Sequence, residues 1–392
     1  MTRTLLTNIG TIVSGDLSNP ILAADSLYVR DGIINRVGRI EELGGLPTDS
    51  IIDVNGSTII PGLIDSHCHV VLGDYTPRQN QIGFIDSEVH GGVTSIISAG
   101  EVHLPGRPKD PAGTKALAIL AAKAFQSFRP GGAKVLGGAV ILEKGLTESD
   151  FEEMAREGVR LVGEIGLGSV KSPEDAAPMV QWAKRNGMTV LMHTGGTSIP
   201  GSNTVTADQV IATNPHVACH VNGGPTAAAP SEIEKLIGQT HYAIEIVHCG
   251  NPKAMILALE VGLKQRALGR FIIGNDAPSG TGVIPLGILR VIATAASLTE
   301  VSAAQAICMA TGNTARTFGL QTGFIREGLP ADLVAMDTSM GSVGSDALSA
   351  IEAGDVPGIS MVMIDGKVHV WTSRNTPPAK RKAKAVDSLS GN

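Results

Sequence analysis

Short apolar runs recur at near-regular intervals through the middle of the chain. Ile60–Ile64, Thr94–Ser98, Lys134–Ile141, Arg160–Ile165, Thr189–Met192, His216–Cys219, Tyr242–Val247 and Phe271–Gly274 read as strands. Between them lie stretches of roughly ten to fifteen residues whose apolar positions repeat at helical spacing. LTESDFEEMAREG and PEDAAPMVQWAKRNG are examples, with a capping Thr or a Pro-Glu-Asp start and a Gly end. Eight strands alternating with helices predict an α/β fold, a closed parallel (β/α)8 TIM-like barrel. The rival is an open doubly wound sheet, which favours a glycine-rich phosphate loop after its first strand. Here the first strand runs through PGLIDSHCHVV into His67, Cys68 and His69, and no GxGxxG joins a strand to a helix.

The two ends of the chain carry a different pattern. SLYVRDGIINRVG, IIDVNGSTII and ISMVMIDGKVHVW place Asp31-Gly32, Asn55-Gly56 and Asp365-Gly366 where two-residue hairpins need positive φ. With Ala331–Asp337 they predict one small β-sandwich built from both termini. The expected division is residues 1–60 plus 322–372 for the sandwich, 61–321 for the barrel and 373–392 for a basic tail.

Composition narrows the class. Of 392 residues, 43% are hydrophobic and 17% charged, which suits a large enzyme core and excludes a disordered chain. A net charge of -6 gives no electrostatic footprint for nucleic acid. The basic run Lys380–Lys384 is expected to be a solvated, mobile end. No long apolar run follows Arg3, so no signal peptide is expected, and no window reaches the roughly 18 apolar residues of a membrane span. Cys68, Cys219, Cys249 and Cys308 lack CxxC spacing, and the expected compartment is the reducing cytoplasm.

Candidate chemistry gathers at the strand ends. His67 and His69 follow the first strand, and period-two alternation turns both toward one spot. Glu164 ends the fourth strand, His193 the fifth, His220 the sixth and Asp276 the eighth. The steps from 164 to 193, 193 to 220 and 220 to 276 equal about one, one and two βα units of 28 residues. All six side chains are then expected at the C-terminal mouth, where barrel enzymes work. Burying four imidazoles and two carboxylates on hydrogen bonds alone is costly, whereas divalent metal ions would compensate them. The donor set suits Zn2+, Fe2+, Mn2+ or Co2+ rather than Ca2+ or Mg2+. Two ions are expected: His67, His69 and Asp276 on one, His193 and His220 on the other, with Glu164 and a hydroxide between them. Cys68 and Cys219 are expected to alternate away from the metals.

An HxH on the first strand, a carboxylate on the fourth, His on the fifth and sixth and Asp on the eighth resemble the amidohydrolase superfamily. The resemblance implies a metal-bearing barrel with a β-sandwich from both termini, and covers nearly the whole chain. Glu164 stands where many members carry a carboxylated lysine, so a carbamate bridge is not expected. HTGGTSIPG lacks the Glu that deaminases of the superfamily place after the fifth-strand His, which argues against deamination. GGVTSIISAG, VGEIGLG, MHTGGTSIPGSNTVTAD and GNDAPSGTGVIPLGILR are similar to cyclic-enamide hydrolases of anaerobic nicotinate breakdown. That closer similarity implies ring opening of 1,4,5,6-tetrahydro-6-oxonicotinate to 2-formylglutarate, an iron-zinc pair and a homotetramer.

The expected mechanism is attack on the lactam carbonyl by metal-activated hydroxide, with Asp276 passing the water proton to the leaving nitrogen. Arg107, Lys109 and His248 are candidate partners for a substrate carboxylate. Backbone amides of Ser279–Gly282 are a further candidate, with a plain tight loop as the alternative. His90, before the second strand at the barrel's bottom, and His103, on a loop, are weaker candidates than the six, and His216 and His241 are expected to be solvated. Three other readings stay open: hydrolysis of another cyclic amide or imide, a metal-dependent isomerase or decarboxylase, and a non-catalytic scaffold on the same fold. A scaffold is expected to lose ligands, and this sequence keeps all six.

Overall fold

Eight parallel strands ring the centre of the computed structural model, which describes residues 2–70, 81–102, 104, 106–197, 203–223, 226–277 and 284–387. They are β1 (Leu63–Cys68), β2 (Val93–Ser98), β3 (Lys134–Leu136), β4 (Leu161–Ile165), β5 (Thr189–Met192), β6 (Val217–Ala218), β7 (Ala243–Val247) and β8 (Phe271–Gly274). β1 to β3 form one parallel sheet and β4 to β8 another. Two isolated parallel bridges, Val140 to Val162 and Cys68 to Ala277, join the sheets into a ring. The helices outside begin with the chemistry the sequence offers. Ser172 Oγ accepts from Asp175 N at the start of Pro173–Arg185, and Asp150 closes back on Thr147 N at the start of Glu148–Arg156.

Alternation along the strands separates two apolar layers. Val162, Val190, Ile244 and Ile273 face the surrounding helices, where they meet Val180, Ile233, Leu259 and Ile292. Ile64, Ile97, Leu161, Leu191, Val217 and Ile272 fill the barrel interior, with Phe318 packed against them. This inner layer excludes water beneath the polar strand ends and fixes the strands that carry them.

The terminal sheets differ from expectation in instructive ways. One sheet has the order Lys384–Val386, Ser50–Asp53, Arg3–Thr7, Ser26–Arg30, Ile33–Gly38. The other runs Lys367–Val370, Gly358–Ile364, Leu333–Asp337, Thr58–Pro61, Thr11–Val13, Ile21–Leu22. Leu6, Leu27 and Ile52 of the first share a core with Ile59, Leu333 and Met361 of the second. Asp31-Gly32 and Asp365-Gly366 turn hairpins. Asn55-Gly56 also has positive φ, but it turns a corner that carries the chain from one sheet to the other. The expected first barrel strand, Ile60–Ile64, splits: Thr58–Pro61 belongs to the sandwich and Leu63–Cys68 to the barrel. Gly62 permits the passage, because any side chain there would collide with Thr94.

The basic end is not free. Arg381 makes three hydrogen bonds to Asp337, two from its guanidinium at 2.9 and 2.7 Å and one from its backbone N–H at 2.8 Å, and Lys384–Val386 pairs antiparallel with Ser50–Asp53. Upstream, Arg374 reaches Asp86 and Ser373 Oγ donates to His90 O, tying this segment to the helix Gln81–His90. A buried carboxylate joins barrel to sandwich. Asp332 Oδ2 accepts from Lys134 Nζ and Thr322 Oγ1, both at 2.7 Å, and its Oδ1 accepts from Asp365 N. His216 is not solvated as expected: its Nδ1 accepts from Val190 N at 2.9 Å. No helix among the described residues is long and apolar enough to cross a membrane.

Two outcomes follow. Asp332→Ala should lower unfolding stability by about 1–3 kcal/mol, because it strands the buried Thr322 hydroxyl and the Asp365 N–H and leaves Lys134 only its ion pair with Asp365. A urea midpoint within error of wild type would contradict that role. Burial, aided by Lys184 and His241, pushes His216 down to about 4. The folded form thus resists a proton that the unfolded chain takes near pH 6.5, so stability falls as pH drops from about 6.5 to about 4. His216→Asn keeps an acceptor without the titration and should flatten part of that fall; equal slopes in both proteins would contradict it.

Candidate metal centre

At the C-terminal ends of the strands the apolar layer gives way to a buried polar cluster. His67, His69, Glu164, His193 and His220 are each at most 4% exposed, and Asp276 closes one side. Glu164 sits at the centre. Its Oε1 meets His193 Nδ1 at 2.7 Å and His220 Nε2 at 2.5 Å. Its Oε2 lies 3.7 Å from His67 Nε2 and 3.8 Å from His69 Nε2. Asp276 Oδ1 approaches the same pair, 3.3 Å from His69 Nε2 and 3.8 Å from His67 Nε2. The cluster is therefore two sets of donors that share one carboxylate.

Strict alternation does not produce this arrangement; local irregularities do. The β4–β5 register slips between Val162 and Ile165, and this bulge turns Glu164 inward although Leu161 already faces the interior. The β1–β2 register slips between Asp65 and Cys68, so Ser66 and His67 both reach the same carboxylate, Glu245. Gly274 leaves space for His67, since a Cβ there would lie 2.7 Å from the His67 Cβ. His220 and Asp276 adopt φ of 32° and 57°, left-handed backbone that is costly outside glycine and common at functional sites. Cys68 points outward as expected. Cys219 does not: it lies in the inner layer, and its sulfur is within 4.8 Å of donor atoms of His67 and Glu245. The alternation argument fails there because β6 ends at Ala218 and His220 turns by its positive φ.

Electrostatics match the geometry. Burial alone would raise Glu164, but His220, His193 and His67 together hold it well below the usual carboxylate range. Burial likewise opposes, and His69, His67 and His220 outweigh it, to lower Asp276. His67 and His220 are pushed up despite burial, the first mainly by Glu245 and the second by Glu164. Burial raises the Cys219 thiol far above its ordinary value, so it stays protonated. The buried Nε2 of His67 has no hydrogen-bond partner, although two carboxylate oxygens lie within 4 Å. Ligand atoms bound at 2.0–2.2 Å to a common first-row ion sit roughly 3–3.5 Å apart, close to the separations around His67 and His69. The residues present thus fit a divalent ion.

Other sequence candidates fall elsewhere. Arg107 Nη1 is held by Glu143 Oε1 at 2.9 Å and by Pro108 O, and Lys109 is exposed. His248 follows β7, is half-buried, and is lowered by burial and by Arg290. Among the described residues no hydrogen bond or ion pair links Arg107 or His248 to the six. His90 Nδ1 accepts from Arg374 N, away from the mouth. His103 and Ser279–Gly282 lie outside the described residues. Sequence reasoning missed Asp65, Glu88 and Glu245, which are fully buried. Their signal was an acidic residue inside an otherwise apolar stretch, as in LIDSHC and AIEIV. Burial first, and Glu245 further, lift Asp65 to about 7, while its Oδ1 accepts from His67 N and Asn275 N.

Comparison with known proteins bears on the family and the fold. Residues 251–369 match the amidohydrolase family. The chain is 57% identical over 386 residues to the enamidase of Eubacterium barkeri, covering 98% of this chain and all of that one. A crystal structure of enamidase, described as a new member of the amidohydrolase superfamily, superposes with a TM-score of 0.95 over 98% of this chain and 100% of the other. A β-aspartyl dipeptidase of Fervidobacterium islandicum shares the fold at 18% identity, with a TM-score of 0.66 over 95% of this chain and 98% of that one.

Proposed function

The chain belongs to the amidohydrolase superfamily, and from that premise we propose that it is a cyclic-amide hydrolase of the enamidase type. The observation that carries the reading is Glu164, one carboxylate between two pairs of imidazoles. The proposed substrate is 1,4,5,6-tetrahydro-6-oxonicotinate, and the products are 2-formylglutarate and ammonia. His67, His69 and Asp276 would hold one divalent ion and His193 and His220 a second, with Glu164 shared. Zn2+ and Fe2+ are the proposed pair, since imidazole and carboxylate donors suit both. When bound, such ions lower the pKa of a water and polarise a carbonyl oxygen.

The protein's own groups supply the rest. Glu164 and Asp276 are held as carboxylates, so the cluster carries negative charge to balance cations. Asp276 has a side chain 14% exposed, more open than His67, His69, Glu164, His193 and His220, and is positioned to meet substrate. It would take the proton of the attacking water and deliver it to the ring nitrogen as the C–N bond breaks. One water adds to the acyl carbon. The enamine that leaves tautomerises to an imine, and a second water converts it to aldehyde and ammonia. Arg107, anchored by Glu143, and His248 are the proposed partners of the substrate carboxylate. We assign catalysis to residues 61–321, with the terminal sandwich as support, and place the working enzyme in the cytoplasm as a homotetramer.

Product analysis with tetrahydro-oxonicotinate, beside a panel of other lactams and imides, tests the substrate. Turnover of the enamide to 2-formylglutarate is expected to exceed that of any panel member; a better substrate in the panel would overturn the assignment. Asp276→Asn should cut kcat by about 10²–10⁴ with little change in KM. Near-wild-type kcat would remove Asp276 from proton transfer.

A further inference from the structure

β7 supplies none of the six clustered residues, yet it carries a fully buried carboxylate beside them. Glu245 is 0% exposed. Its Oε1 accepts from Ser66 Oγ at 2.5 Å. Its Oε2 accepts from His67 Nδ1 at 2.8 Å and from His220 N at 3.2 Å. One side chain thus ties β1 to the turn after β6. It grips a histidine from each of the two donor sets, one by its ring and the other by its backbone.

We propose that Glu245 is the positioning residue of the metal centre: it fixes His67 with Nδ1 protonated and Nε2 free to ligate, and its charge strengthens that ligand. The inference rests on the metal reading above. Its premise is chemical. A ring N–H given to a carboxylate sets the tautomer and orientation of a ligating imidazole and raises its basicity. The geometry at His67 fits this arrangement. Its Nδ1 is engaged by Glu245, and its buried Nε2, without a hydrogen-bond partner, lies 3.7 Å from Glu164 and 3.8 Å from Asp276. The same contact orders the left-handed turn at His220, whose backbone N–H would otherwise be buried without that acceptor.

His67, Cys219 and Glu245 also form a donor trio of their own. They do not make a separate cation site. The His67–Glu245 contact is a hydrogen bond of 2.8 Å that uses Nδ1–H, so that ring nitrogen has no lone pair for an ion there. Glu245 therefore acts through His67 and His220.

Glu245→Gln separates charge from shape. The amide oxygen can still accept from His67 Nδ1 and His220 N, and the amide NH2 faces Ser66 Oγ, whose hydroxyl can rotate to accept. Ser66→Ala removes one hydrogen bond to Glu245 but leaves its charge. Both variants and wild type would be prepared as full chains, stripped of metal and titrated with Co2+ against a competing chelator, with the visible ligand-field band recorded at saturation. We expect E245Q to bind Co2+ about 10–100-fold more weakly and to shift the band, while the melting temperature of the metal-free protein is unchanged. S66A should bind within about threefold of wild type with the band unmoved. Wild-type affinity in E245Q, or equal losses in E245Q and S66A, would overturn the proposal and leave the metal reading intact. Failure of wild type to bind Co2+ would instead overturn the metal reading, and the proposal with it.

Discussion

A buried carboxylate shared between two pairs of imidazoles is the contact around which this molecule is organised. Glu164 lies 3% exposed at the end of an apolar barrel, where an unpaired charge would be driven to neutrality. It stays ionised only because His193 and His220 meet one oxygen and His67 and His69 approach the other. Those four residues come from three strands, so the contact requires the barrel to be closed and in register. The inner layer of Ile64, Leu161, Leu191 and Ile272 supplies that rigidity from below. Asp65 adds a clasp across the seam, holding the backbone of His67 on β1 and of Asn275 after β8.

The chemistry follows from how the charges are spread. Glu164 and Asp276 are pushed down and His67 and His220 pushed up, so carboxylate oxygens and ring nitrogens face one another across the cluster, at 2.7 Å for Glu164 and His193 and at 3.3–3.8 Å around His67 and His69. Glu245 enters the same balance from outside the six. The positive φ at His220 and Asp276 shows that the backbone bends to present these side chains.

Much of this was legible in the sequence. The eight strands follow from apolar runs and turn residues, and the six clustered side chains follow from their common phase at strand ends. What was hidden depends on pairing partners. The slips near Asp65 and Glu164 re-aim side chains that period two would send elsewhere, and no local signal marks them. Asn55-Gly56 looks like a hairpin because turn residues report backbone shape, not which sheet each flanking strand joins. Lys384–Val386 looks like a solvated end because its partner, Ser50–Asp53, is more than three hundred residues away. Glu245 could have been found, since a lone acid in AIEIV has no solvent to face in a buried barrel strand.

The claim that the two donor sets act together on substrate is tested most directly by metal reconstitution. Stripped protein would be returned to activity by stepwise addition of divalent metal, with turnover of the cyclic enamide measured against bound ions per chain. The account predicts that turnover stays low at one ion per chain and rises to its plateau as the second binds. Full turnover at one ion or fewer would contradict it.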